Sequence, residues 1–326
     1  VEATGTAGVG QHRTGRSAST ASRAMNPMNT VYFDAAITDH DRRRQLFDGQ
    51  LHVYSATPGS RALVEHAKRM IRAAFGDLDP ELAQYHMAAE QYAAILAELK
   101  PRFIHHPESK RHIQQLLADL KCDPAQTYFD VPRMRTATSD EYLTTGIAYA
   151  FHPHRDTWYS APLCQVNWWI PVFEIESGRS MAFHPRYWSH GVRNGSSGYN
   201  YGEWNKTSRF QAAQHVKADT RVQPKPEEPM ELDPQVRVIT PPGGVLLFSA
   251  AQMHSTVPNN TGRTRFSIDF RTVHLADVEA LQGAHNVDSA CTGTTLADYL
   301  RASDLSHISA ELVAMYEPGI ATAASR

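Results

Sequence analysis

The residues of this chain best suited to chemistry fall in two short stretches. In FHPHRDTWYS (151–160), His154 and Asp156 stand two apart. On an extended strand end such residues point to the same side, so both can reach one metal ion. Far downstream, directly after the apolar run VLLFSA, His254 offers a second imidazole. Two imidazoles and one carboxylate suit Fe(II) and leave open positions for O2 and an organic co-substrate. Ten residues intervene between His254 and Arg265, and Ser267 follows two further on. A dicarboxylate such as 2-oxoglutarate would chelate the metal through its keto-acid end, leaving its distal carboxylate in need of a charged partner. Arg265 can make a bidentate pair with that group, and Ser267, on the same side of a strand, can add a hydrogen bond. Arg263 shares this parity and competes, but it sits in an Asn-Thr-Gly turn and lacks the paired hydroxyl, so Arg265 is the expected clamp.

Each of these readings has a plainer rival. A lone His-x-Asp arises often by chance, and Pro153 would suit a surface loop. The metal reading rests on the conjunction: a strand-like run (GIAYAF) before the triplet, Trp158 and Tyr159 after it, a second strand-end His, and the Arg-x-Ser. Gln165, Asn167 and Trp169 share one face of the next strand. If that face is inward, Gln165 or Asn167 can hydrogen-bond the co-substrate or the substrate; if outward, they meet solvent. His184 and His190 are expected to be structural, Asp269 and Arg271 a buried ion pair, and Arg133 and Arg135 surface charge. Gly146 followed by His152-Pro153-His154 fits the opening of a cupin metal motif, but Trp158 and Tyr159 stand where its glutamate should be, which leaves Asp156 as the better ligand and His152 as incidental or supporting.

The elements that must hold these residues change character along the chain. Residues 1–30 are small and polar with one acid, too poor in apolar surface to offset ordering entropy, and are expected to be disordered. VYFD and LHVYS read as strands. Pro58–Phe75 reads as a helix with Thr57 as N-cap and Gly76 past its end. A second helix is expected from Asp79-Pro80 to about Lys100, closed by Pro101, and a third over Ser109–Lys121. From Thr127 onward TYFDVPRMR, TGIAYAF, LCQVNWWIPVF, RVITP, VLLFSA and RFSIDFRTV are short strand-like runs, the mark of an antiparallel barrel or jelly roll. In the last of them Arg265, Ser267, Asp269 and Arg271 share a face that must line something wet, while Phe266, Ile268 and Phe270 would pack on the N-terminal helices. The aromatic, glycine-rich insert at about 186–235 reads as a lid. Two short helices are expected within about 276–318.

At 326 residues, with 32 Lys+Arg against 34 Asp+Glu, the chain fits one catalytic domain over 31–326 and lacks the basic excess of a nucleic-acid binder. Three scattered Cys suggest a reducing cytoplasm, and no apolar run is long enough for a membrane span. Oligomeric state is not legible.

His154-x-Asp156, His254 and Arg265-x-Ser267 together resemble the pattern of the Fe(II)/2-oxoglutarate-dependent oxygenase superfamily. The run HRDTWYSAPLCQVNWWIPVFEIESGRSMAFHP is similar to the matching region of phytanoyl-CoA dioxygenase-like members. The resemblance covers roughly 127–275. It implies a mainly β chain with flanking helices, built on a double-stranded β-helix (a jelly-roll, cupin-like barrel) with the N-terminal helices on one sheet. It further implies iron on His154, Asp156 and His254, 2-oxoglutarate on Arg265 and Ser267, and oxidation of a small organic metabolite, most simply by hydroxylation, with release of succinate and CO2. Two alternatives are an iron oxidase of the same fold that uses no 2-oxoglutarate, and a non-catalytic small-molecule-binding barrel.

Overall fold

The computed structural model describes residues 30–319, apart from 144–147, 149–151, 208–220 and 222. The N-terminal extension and most of GIAYAF therefore lie outside the described residues. In chain order the strands are β1 (Val31–Phe33), β2 (Leu51–Tyr54), β3 (Thr127–Phe129), β4 (Arg133–Ala137), β5 (Val166–Pro171), β6 (Met181–Phe183), β7 (Val236–Arg237), β8 (Val245–Ser249), β9 (His254–Thr256), β10 (Arg265–His274) and β11 (Leu300–Arg301). The α-helices are α1 (Asp39–Phe47), α2 (Pro58–Phe75), α3 (Ala89–His105), α4 (Pro107–Asp119), α5 (Tyr201–Thr207), α6 (Leu275–Glu279) and α7 (Ala310–Tyr316).

Two sheets form. The larger runs β1-β2-β8-β5-β10-β3-β11, with β4 also paired to β10; the smaller runs β7-β6-β9. Among the described residues no strand is shared between them, so they do not close into a continuous barrel. Nor is the chain mainly β: α2 and α3 run to 18 and 17 residues, whereas β10, at 10, is the longest strand. The helices earn that share because the apolar side of the large sheet needs a cover. Side chains alternate along a strand, and Val166, Trp168 and Ile170 of β5, Val245 and Leu247 of β8, and Phe266, Ile268 and Phe270 of β10 share one buried cluster with Leu63, Ile71, Leu96, Phe103 and Leu116 of α2, α3 and α4. On the opposite side Trp169, Leu246 and Phe248 meet Met181 and Phe183 of the small sheet. The site lies on this second side.

The helix α2 forms where expected. Thr57 Oγ1 accepts from Ser60 N at 3.1 Å, Ser60 Oγ accepts from Thr57 N at 2.9 Å, and Gly76 turns the chain at φ 62°. The second helix does not. Residues 83–85 make a 3-10 turn, because Gln84 spends its side-chain amide on Ser139 of the sheet layer (Nε2 to O 3.0 Å, Ser139 N to Oε1 2.8 Å). The α3 helix then runs through Pro101 to His105. The proline forfeits one intrahelical bond, and burial of Leu99 and Phe103, 2% and 0% exposed, holds the turns on either side of it. The unforeseen α1 buries Arg42 and Arg43, both paired with Asp39. Of RVITP only Arg237 falls in a strand, the two-residue β7. Of the two C-terminal helices expected, one forms as α7, while the LADYLR segment becomes a 3-10 turn followed by β11, which extends the large sheet through β3.

Candidate metal and co-substrate site

Two backbone segments a hundred residues apart in sequence are joined where the site begins. His154 and His254 form an isolated antiparallel bridge, each backbone N–H donating to the other's carbonyl at 2.9 and 3.0 Å. Their rings face each other with centroids 4.3 Å apart. Asp156, two residues on, opens a 3-10 turn, and its Oδ1 lies 3.5 Å from His154 Nε2 and 4.0 Å from His254 Nε2. The three residues offer ligand atoms within 4.8 Å of one another. The tautomers follow from the neighbours. His154 Nδ1 donates to His152 O at 2.8 Å and His254 Nδ1 to Gln252 O at 3.0 Å. A carbonyl can only accept, so the ring protons sit on Nδ1 and both Nε2 lone pairs converge beside Asp156, the arrangement in which an outer hydrogen bond orients a ligating imidazole.

The carboxylate is held from behind. Gln165 Nε2 donates to Asp156 Oδ2 at 3.2 Å and to Asn167 Oδ1 at 2.8 Å, while Gln165 Oε1 accepts from Tyr299 Oη at 2.8 Å. Arg271 Nε lies 3.7 Å from the same Oδ2, and Arg271 is itself bound to Asp130 at 3.2 Å. Burial alone would raise the Asp156 carboxyl, but His154, Arg271 and His254 together hold it well below the usual carboxylate range. Burial pushes the His254 imidazole down to about 3, with neighbouring His154 acting the same way. Two imidazoles that present Nε2 and one carboxylate make a donor set that fits Fe(II).

Along β10 the polar face continues away from the triad. Arg265 and Ser267 are 5% and 0% exposed. Arg265 Nη1 donates to Ser180 O at 3.1 Å, and its guanidinium lies over Trp169, 5.7 Å from the ring centroid. Burial lowers its pKa to about 10 and leaves it charged. Arg265 Nε, Ser267 Oγ and, across on β5, Asn167 Nδ2 are buried with no hydrogen-bond partner among the described residues. Each such group costs about 1–3 kcal/mol, and native interiors hold few of them. Arg265 Nε, on a buried cation, and Ser267 Oγ, two residues along the same face, fit a carboxylate of 2-oxoglutarate, while Asn167 stands opposite Arg271 at the metal end of that face. Arg263, by contrast, is half exposed and faces Glu81 and Asp79 at 3.5 and 3.9 Å.

The other residues singled out in the sequence take separate places. Gln165 and Asn167 both face inward, but Gln165 has committed its amide to Asp156, Asn167 and Tyr299. His184 is bound to Leu232 O and Ser255 Oγ, and His190 donates to Arg186 O. Asp269 pairs with Arg135 at 2.5 Å instead of Arg271, and Arg133 pairs with Asp130, so neither β4 arginine is plain surface charge. The middle of the triplet was passed over in the sequence. Arg155, 0% exposed, donates to the Asp288 carboxylate at 3.0 Å, to Ala251 O at 2.6 Å, to His190 O at 3.1 Å and to Tyr187 O. It ties the start of the 186–235 insert to the metal-side loops. Parity with Arg265 placed Arg271 on the right face; nothing local to Tyr299 marked it, since its contact spans more than a hundred residues.

No protein-family model and no curated protein matches this chain. Among solved structures it is similar to the non-heme monooxygenase ThoJ in its apo form (13% identity over 68% of this chain and 71% of that one, TM-score 0.34). It is also similar to the epimerase SnoN in complex with Fe3+, alpha ketoglutarate and nogalamycin RO (13%, 72% and 85%, TM-score 0.36). A third is EvdO2 from Micromonospora carbonacea var. aurantiaca complexed with 2-oxoglutarate (12%, 73% and 91%, TM-score 0.39). At these identities and scores they are likenesses only.

Proposed function

We propose that this chain is an Fe(II)- and 2-oxoglutarate-dependent dioxygenase acting on a small organic molecule, most simply by hydroxylation. The observation that carries the proposal is the pairing of a convergent His154/Asp156/His254 triad with a buried Arg265 and Ser267, whose Nε and Oγ have no hydrogen-bond partner among the described residues. In this reading the two sheets are the walls of a double-stranded β-helix within one catalytic domain, and the HRDTWYS run aligns it with the phytanoyl-CoA dioxygenase-like branch. Bound iron, with 2-oxoglutarate and O2, supplies the oxidation of a substrate C–H bond and releases succinate and CO2.

The chain's own residues bind, orient and exclude water. His154, Asp156 and His254 hold the metal. Gln165 and Arg271 occupy Asp156 Oδ2 and so present Oδ1 toward the imidazoles. Arg265 and Ser267 bind the distal carboxylate of the co-substrate, Asn167 contributes its N–H at the metal end of that face, and Trp169 shields the guanidinium from water, which strengthens the charge pair. Asp156, as a carboxylate ligand, leaves no place for a halide at that position. The three described Cys are buried and free, which is compatible with a reducing cytoplasm. No described helix is long and apolar enough to cross a membrane.

Anaerobic addition of 2-oxoglutarate to the Fe(II) protein should give a visible charge-transfer band, and aerobic turnover should release succinate. Asp156→Ala should abolish both. Arg265→Ala should raise the 2-oxoglutarate requirement about 10- to 100-fold, the worth of one charged hydrogen bond at about 1.5–3 kcal/mol. Iron-dependent turnover with neither band nor succinate would instead make Arg265 and Ser267 the grip on the substrate's own carboxylate. A chain that gains no thermal stability from Fe(II) would be a binding barrel without metal.

A further inference from the structure

On the other side of the large sheet, in the helical layer, stands a second cluster of metal-ligating side chains. His66 comes from α2, His106 is the residue that caps α4, and Glu108 lies in the first turn of α4; one ligand atom from each falls within 4.8 Å of the others. His66 Nδ1 lies 3.2 Å from Glu108 Oε2, and the His66 and His106 ring centroids are 4.5 Å apart. His112, one turn further along α4, has its ring 5.9 Å from that of His66. The three residues line a cavity of about 250 Å³ with Arg69, Met70 and Arg102, roomy enough for an ion and its water, since a water takes about 30 Å³.

The plain explanation is a His66–Glu108 ion pair. It accounts for one nitrogen of the ring and not for the other. His66 is 3% exposed, and its Nε2 is buried with no hydrogen-bond partner among the described residues. Nothing about an ion pair requires two further histidines beside that ring. A cation in the cavity would draw on all three side chains.

We propose that His66, His106 and Glu108 form a second metal site, which takes a late first-row divalent cation, Zn2+ before the others. Imidazoles with one carboxylate are the ligands Zn2+ accepts, at about 2.0–2.2 Å, with a fourth position left for water or a further imidazole. Hard, oxygen-seeking cations such as Mg2+ and Ca2+ are poorly served by this donor set. Arg69 and Arg111 each pair with the Glu108 carboxylate at 3.6 Å, but their side chains are 63% and 67% exposed and can give way to an ion by turning toward solvent, and Arg102 already leans on Glu98. His106 Nδ1 currently accepts from Glu108 N at 3.2 Å, so coordination exchanges that cap bond for a metal bond. The ion would fasten α2 to the start of α4 and act on the stability of the helical layer.

The test uses the full chain carrying His154→Ala and Asp156→Ala, which removes the first triad, with Co2+ as the probe. This protein should bind one equivalent of Co2+ with the visible d–d absorption of a four- or five-coordinate site, and Zn2+ should displace it. His106→Asn and Glu108→Gln, each added to that background, should weaken binding at least tenfold. Asn is itself a preferred N-cap, so α4 keeps its start, and the Glu108 side chain is 42% exposed, so its amide costs the fold little. Unfolding midpoints without metal should match across the set, while Zn2+ should raise only that of the background protein. Absence of Co2+ binding in the background protein would overturn the site. So would an equivalent that persists at unchanged affinity in both added variants.

Discussion

The two faces of β10 divide the labour of the molecule. Phe266, Ile268 and Phe270, each at most 1% exposed, meet the helices. Arg265, Ser267, Asp269 and Arg271, one step out of phase, carry every charge on the strand's interior side and reach the metal-side carboxylate and the unpartnered donors. The contrast is instructive because the backbone and its paired strands are shared; side-chain parity alone decides what each face meets. Substitutions on one face should act on stability and on the other upon ligand binding, with little crossover.

The strongest challenge to that division is Phe270→Ala. Phe270 stacks on Trp168 at 5.2 Å inside the core, and its removal should cost about 3–5 kcal/mol in urea unfolding, with 2-oxoglutarate affinity unchanged wherever the protein remains folded. An altered affinity in the folded variant would show that the faces communicate. Tyr299→Phe sharpens the other side. It deletes one hydroxyl from the chain Tyr299–Gln165–Asp156, should weaken metal binding roughly tenfold and, by leaving Gln165 Oε1 buried without its donor, should cost about 1–3 kcal/mol of stability; an unaltered metal Kd would detach Tyr299 from the site. The smallest effect concerns a polar residue on the apolar side. His52, 0% exposed, stacks against Tyr32 at 4.9 Å, and both its ring nitrogens lack hydrogen-bond partners among the described residues. Burial, with Arg42 nearby, lowers its pKa from 6.5 to about 4. The unfolded chain therefore takes up a proton below pH 6.5 that the folded chain refuses until about pH 4, so stability falls as pH drops through this window. His52→Phe should flatten that part of the stability profile, and an unchanged slope would mean that other groups set the acid limit.

Local rules made part of this readable in the sequence. Period-two alternation in RFSIDFRTV gave both faces of β10, and Thr57 with Gly76 bounded α2, because caps and parity are decided by near neighbours. His154, Asp156 and His254 come together as their spacing implied, and Arg265 is buried where Arg263 is not. What stayed hidden depends on distant partners. The α1 helix has a buried side made of arginines, which no hydrophobic pattern announces and which becomes sensible only once Asp39 and Asp277 are in place. Pro101 continues a helix because Phe103 is anchored in a core that the sequence does not display. Gln165 was a candidate for the co-substrate until Tyr299 and Asp156, far from each other in the chain, absorbed its amide. The failed second C-terminal helix has the same origin: Leu300 and Arg301 are claimed by β3.

The reciprocal backbone pairing of His154 with His254 has a consequence for how such a protein can vary. Because main-chain atoms set the separation of the two imidazoles, the insert at about 186–235 is at liberty to lengthen, shorten or change its composition without moving them, so long as Asp156 and its supports on β5 are kept. New surfaces for new target molecules can be tried out in the segment anchored by Arg155 while the reactive geometry is inherited intact.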